Sequence, residues 1–192
     1  MTIRTRRERE RAEREKLIVA AARELAETEG WDAVTTRRLA EKVEYSQPVL
    51  YSHFKGKDAI VAAVALEGFA ELADRLRAAR ETADAGKALA VVAEAYTAFA
   101  EGRPALYDAM FSQAADLPFA TPEAPAALRA GFDELAEAIR PHAHGDDVGL
   151  LTETFWAALH GLTTLTRSGR LPAVARDRRL ALLLARFTDR RG

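Results

Sequence analysis

The chain is predicted to be all-α. Apolar residues recur at helical spacing along most of its length, its Ala, Leu and Arg content favours helices, and no alternating strand pattern of convincing length interrupts them. Two parts are expected, dividing near residue 57: a short three-helix part over residues 1–57 and a larger helical body over 58–192.

The first helix is predicted from the stripe Leu17, Ile18, Ala21, Ala22, Leu25 and Ala26, and Gly30 is well placed to end it. Trp31 and Val34 then enter the core. Thr35 or Thr36 caps a second helix whose apolar positions Leu39, Ala40 and Val43 face inward, ending near Glu44. A few residues later Ser46 is positioned to cap a third helix, with Pro48 in its first turn, where a missing amide hydrogen leaves no bond unmade. Val49, Leu50 and Phe54 are expected to supply its packing. Two short helices meeting at a tight turn form a helix-turn-helix, and Gln47, Tyr51, Ser52 and His53 crowd polar and amphipathic groups into the second. A duplex groove, with its base edges and phosphates, uses such groups.

A fourth helix starts at Lys57 and Asp58 and carries Ile60, Val61, Val64, Leu66, Phe69, Leu72, Ala73 and Leu76 towards Arg80. Further helices are predicted at about 84–101, 104–113, 125–140, 146–168 and 173–190. Pro104 suits a first helical turn, Pro118, Pro122 and Pro125 break the chain, and Gly145 and Gly169 suit turns.

The stretch Thr35 to Ile60, TTRRLAEKVEYSQPVLYSHFKGKDAI, resembles the DNA-reading part of the tetracycline-repressor (TetR) family of bacterial transcription regulators, over roughly Leu17 to Val64. Many consecutive matches at fixed spacing are more specific than a generic helix-turn-helix pattern. The resemblance implies that Thr36, Gln47, Pro48, Val49, Tyr51, His53 and Lys57 face DNA and that Arg37 reads a base. Ser52 lies among them and replaces a larger aromatic, so the resemblance carries over no operator sequence. Glu44 stands where this family usually carries Gly in the turn, which predicts either a positive φ at Glu44 or a different turn. In the body, Trp156, His160 and Gly161 of TFWAALHGL resemble the Trp-His-Gly signature of one group of TetR-type C-terminal domains.

Net charge divides with the two parts. Residues 1–57 hold 13 Lys and Arg against 10 Asp and Glu, a net of +3, while residues 58–192 hold 15 against 19, a net of −4. Much of the positive charge lies in the first 16 residues, at Arg4, Arg6, Arg7, Arg9, Arg11, Arg14 and Lys16, interleaved with Glu8, Glu10, Glu13 and Glu15. Two readings fit: a basic arm that meets phosphates or a minor groove, or a charge-alternating helix start with Glu and Arg paired at helical spacing.

In the body, Tyr96, Phe99, Leu106, Tyr107, Met110, Phe111, Phe119, Phe132, Phe155, Trp156 and His160 form the candidate pocket for a small, largely apolar or aromatic effector. For each residue taken singly plain core is the favoured use, and for His160 a structural role in core or interface comes first, with ligand contact second. Leu159, Leu162, Leu165, Leu180, Leu183, Leu184 and Phe187 on the last two helices form the candidate homodimer surface, since a two-fold pair reads a palindrome with half-sites about 10 bp or a multiple apart. The expected function is a homodimeric repressor released from double-stranded operator DNA by its effector. A DNA-binding adaptor whose body takes a protein partner is the alternative.

Other classes find little support. No nucleophile with its base, phosphate-binding loop or metal cluster is recognisable, so neither catalytic residues nor a cofactor are expected. His142, His144, Asp146 and Asp147 could hold a metal but lie in a Gly-containing link, and a solvated loop is expected there, with no metal site. With no cysteine, disulfides and thiolate chemistry are excluded, and without a membrane-length apolar run or a leader core the protein is expected in the cytoplasm, with no membrane partner.

Overall fold

The computed structural model describes residues 3–84, 86–114, 117–118, 121 and 124–189. Phe119, Pro122 and Arg190, and the side chain of Arg4, lie outside the described residues. Among the described residues every regular element is helical: α1 (Ile3–Glu29), α2 (Thr36–Lys42), α3 (Gln47–His53), α4 (Lys57–Thr82), α5 (Ala88–Gly102), α6 (Pro104–Asp108), α7 (Ala126–Ile139), α8 (Val148–Arg167) and α9 (Arg176–Thr188). Short 3₁₀ turns stand at Trp31–Ala33, Arg140–His142 and Ala173–Ala175, and α6 widens into a π turn at Ala109–Gln113. Thus the helix expected over 104–113 is interrupted, and that expected from 173 begins as a 3₁₀ turn.

The chain forms two compact units. The first is Met1–Gly68 with Arg103–Glu123, the second Phe69–Gly102 with Ala124–Gly192.

In the first unit, α1 buries Ile18, Val19, Ala22, Leu25 and Ala26. Leu17 instead is 56% exposed, because successive helical positions diverge by about 100° and the stripe centres on 18, 22 and 25. Gly30, at φ 84°, ends α1, and Trp31 is buried beside it with Nε1 donating to the Ala105 carbonyl at 2.8 Å. The Glu27 carboxylate accepts from the Ala105 and Leu106 amides at 3.3 and 3.1 Å, meeting donors that a helix start leaves without partners. Gly68 lies so near this segment that a Cβ there would meet the Met110 Sδ at 2.8 Å and the Leu106 Cδ1 at 2.9 Å.

The second unit packs α5, α7, α8 and α9 with the later part of α4. Leu72, Leu76, Val92, Tyr96, Phe99, Leu135, Ile139, Phe155 and Leu159 fill its core. Glu134 on α7 is buried and accepts from the Nε of both Arg77 and Arg80 on α4, each at 2.9 Å. A buried carboxylate requires such partners. Asp147 caps α8 by accepting from the Leu150 amide at 2.9 Å. Leu159 and Leu180, expected on the dimer surface, are buried within the chain itself.

Candidate nucleic-acid interface

The helix-turn-helix sits wholly in the first unit. Thr35 caps α2 through its Oγ1, which accepts from the Arg38 amide at 3.2 Å. At the end of α2 the Tyr45 amide donates to the Ala40 carbonyl at 2.9 Å and the Glu44 amide to Glu41 at 3.3 Å, the paired bonds of a Schellman turn. That turn requires a left-handed residue after the cap, and Glu44 fills the position at φ 56°. Of the two alternatives, a positive φ at Glu44 or a different turn, the structure shows the first. Ser46 occupies the N-cap of α3 but its hydroxyl makes no capping bond, and Pro48 lies in the first turn.

Leu50 anchors α3, with none of its surface exposed, while Gln47, Pro48, Val49, Tyr51 and Ser52 face outward. Val49, expected to help pack α3, is 37% exposed, since only one residue per turn of so short a helix meets the core. Phe54 is half-buried. Arg37 stands exposed on α2, its Nε 3.0 Å from Glu41 Oε1, and Thr36 Oγ1 is 3.4 Å from the Tyr51 hydroxyl. The Ser52 hydroxyl is engaged with the Val49 carbonyl at 2.6 Å.

Two of the predicted DNA-facing residues turn inward. The His53 ring is only 6% exposed, with Nδ1 3.4 Å from Glu15 Oε1. Lys57 is half-buried, and its Nζ donates to the Trp31 carbonyl at 2.6 Å. Both leave Arg37, Gln47, Pro48, Val49, Tyr51 and Ser52 as the most accessible part of the predicted set.

The start of the chain is helical from Ile3, with Arg6–Glu10 and Arg11–Glu15 paired four residues apart, each at 2.8 Å, as in the charge-alternating reading. Arg11 also donates from Nη2 to the Ser52 carbonyl at 3.3 Å. Arg11 and Glu15 thereby brace the C-terminal end of α3, a role that sequence inspection missed; the only sequence signal is the Arg-to-Glu spacing. Arg38 adds a two-pronged bond to Glu29, at 2.7 and 2.8 Å, which ties α2 to α1 and holds the Glu29 carboxyl below its ordinary pKa.

The candidate effector residues divide between the units. Leu106, Tyr107, Met110 and Phe111 belong to the first, where the Tyr107 and Phe111 rings stand 4.6 Å apart. Tyr96, Phe99, Phe132, Phe155, Trp156 and His160 belong to the second. There Tyr96, Phe99 and Phe155 are fully buried, whereas Phe132, Trp156 and His160 are half-buried. Trp156 Nε1 donates to the Tyr96 hydroxyl at 3.1 Å, and the His160 ring lies 6.4 Å from that of Trp156. Burial holds the imidazole below its ordinary pKa, aided by the positive charge of Arg167.

Residues 18–64 match the N-terminal domain of bacterial regulatory proteins of the tetR family, and residues 89–187 the tetracyclin repressor-like C-terminal domain. The second match alone covers more than half of the sequence, and the chain belongs to the TetR family. It is 35% identical over 95 residues to YobS of Bacillus subtilis, named an HTH-type transcriptional regulator, and the match spans 50% of each chain. It is 28% identical over 176 residues to Rv0681 of Mycobacterium tuberculosis, similarly named, covering 90% of this chain and 75% of that one. A solved structure from Rhodococcus sp. RHA1, of a protein of unknown function, has the same fold, with a TM-score of 0.73, 24% identity and coverage of 91% of this chain and 95% of that one. No helix among the described residues is long and apolar enough to cross a membrane.

Proposed function

We propose that this chain is a DNA-binding transcriptional regulator, a homodimeric repressor of the cytoplasm released from a palindromic operator by a small, largely apolar or aromatic effector, and that it is not an enzyme. The observation that carries the DNA-binding reading is the outward row on α3, where Gln47, Pro48, Val49, Tyr51 and Ser52 are exposed around the buried anchor Leu50, with Arg37 exposed on α2. A helix held by one buried side chain and offering polar and aromatic groups outward suits a major groove. Arg37 reads a base, and Thr36 and Tyr51 set register on phosphates, while the inward-turned His53 and Lys57 hold the reader in place through Glu15 and the Trp31 carbonyl. Residues 1–57 serve as the DNA-binding domain and 58–192 as the effector and dimerisation domain.

Dimerisation is supported by α8 and α9. Leu165 is 39% exposed and Leu182 59%, apolar side chains that a partner's copies of these helices would cover. For the effector, Phe132, Trp156 and His160 are the half-buried members of the aromatic set in the second unit, able to meet a ligand without emptying the core. The test is selection of bound sequences from a random duplex library, followed by stoichiometry on the winner. A palindrome bound by dimers is the expected result. Weak, salt-sensitive binding without enrichment would refute sequence-specific operator recognition by the purified chain.

A further inference from the structure

A cleft in the second unit, walled by α5, α8 and α9, holds an unmet hydrogen-bond demand. Thr163 is 6% exposed, and its Oγ1 reaches neither solvent nor any protein partner. A hydroxyl in that state has lost its hydration without replacement. It lines a cavity of about 20 Å³ together with Thr97, Thr166, Arg176 and Arg179, space for one water or the head of a small ion.

The two arginines differ in their compensation. Arg176 has carboxylates on two sides: its Nε is 2.5 Å from Glu101 Oε1, although the N–H is not aimed at it, and its Nη1 donates to Asp177 Oδ1 at 2.8 Å. Its Nη2 donates to Thr97 Oγ1 at 2.7 Å. Arg179 meets only neutral acceptors, Thr166 Oγ1 at 3.2 Å and the Pro172 carbonyl at 2.8 Å, and no carboxylate pairs with it among the described residues. Both arginines stand in the first turn of α9, where the unpaired amides already make a positive end and Ala175 offers no side-chain cap. Asp177 in the same turn already joins Arg176, whereas Arg179 opposes the helix dipole unless a further anion joins it.

We propose that this cleft binds the carboxylate of a small organic acid, with Thr163 Oγ1 and Arg179 as its principal donors. The charge fits a monoanion: Glu101 and Asp177 flank Arg176, Arg179 is the lining cation that no carboxylate among the described residues meets, and Glu101 disfavours a dianion. The site is distinct from the aromatic effector set and goes beyond the regulator reading.

The test is a titration of the full chain with sodium acetate at ionic strength held constant with sodium chloride, following the threonine methyl resonances by NMR. Saturable shifts at Thr97, Thr163 and Thr166 are expected. Thr163→Val, nearly isosteric, should weaken acetate at least about tenfold, as expected for a lost charge-assisted hydrogen bond, and Arg179→Gln should abolish saturation. Inorganic phosphate should compete poorly. Shifts that never saturate, or Thr163→Val binding as tightly as the parent, would overturn the proposal. So would matching shifts on protein dilution without acetate, which would assign the site to a carboxylate of a second copy.

Discussion

The Glu27 carboxylate accepts from the Leu106 amide at 3.1 Å, so a side chain near the end of α1 caps a helix that begins 77 positions later. The same carboxylate takes the Ala105 amide, and Trp31 takes the Ala105 carbonyl. Glu27→Ala leaves two part-buried amides without their acceptor. It should lower stability by about 1 to 2 kcal/mol, read by urea denaturation. Unaltered stability would mean that water replaces the carboxylate freely.

Glu44→Gly should stabilise. Glu44 and Gly169 hold equivalent positions in two Schellman turns, at φ 56° and 71°, but only Gly adopts that region without a Cβ penalty. The gain is about 1 kcal/mol, reduced by glycine's greater freedom in the unfolded chain, and a thermal melt reads it directly. A fall in melting temperature would show that the Glu44 side chain has a stabilising contact of its own.

Lys57→Met removes the donor that meets the Trp31 carbonyl at 2.6 Å. A loss of about 1 to 2 kcal/mol of stability is expected in the absence of DNA, measured by chemical denaturation. A variant as stable as the parent but weaker on every DNA sequence would instead reserve Lys57 for phosphate.

Arg37→Ala should relax base preference and cost roughly 1 to 3 kcal/mol on the selected operator, measured by titration of matched and single-base-changed duplexes. Arg37 is 78% exposed and tethered only to Glu41, so its removal should leave the fold intact. Affinity lost equally on all sequences would reassign Arg37 to the backbone.

Stability should fall with acidification through the His160 window. Burial, then the Arg167 charge, lowers the imidazole pKa in the folded chain from 6.5, so below that value the unfolded chain binds the proton more readily. The contribution is absent well above pH 6.5, grows as pH falls below it, and levels off beneath the folded pKa. His142 is lowered too, by burial and then His144, and acts in the same direction. His160→Gln should flatten the dependence of melting temperature on pH between about 7 and 5.5. A slope identical to the parent's would place the titration elsewhere.

Local chemistry made much of the fold legible in the sequence. The Thr35 cap, the Pro48 start, the Gly30 stop and the strained Glu44 each follow from a few neighbouring residues. What stayed hidden depends on distant partners: Glu27 with α6, Lys57 with Trp31, Arg11 with Ser52. Hydrophobic period says which face of a helix is buried but not what it meets. The π turn escaped notice because apolar residues continue across Ala105, Leu106, Ala109 and Met110 while the backbone changes pitch. At the candidate interface the residue types were readable, but the degree to which His53 turns inward was not.

The segment from Arg103 completes the unit that carries the helix-turn-helix, though it lies far along the chain. Excising residues 1–68 as a portable reader would strip Glu27 and Trp31 of their partners and uncover the close approach at Gly68. A chimera built to lend this specificity to another protein would need to carry the α6 stretch with it, so the reader is better transplanted as two spliced pieces than cut at a single joint.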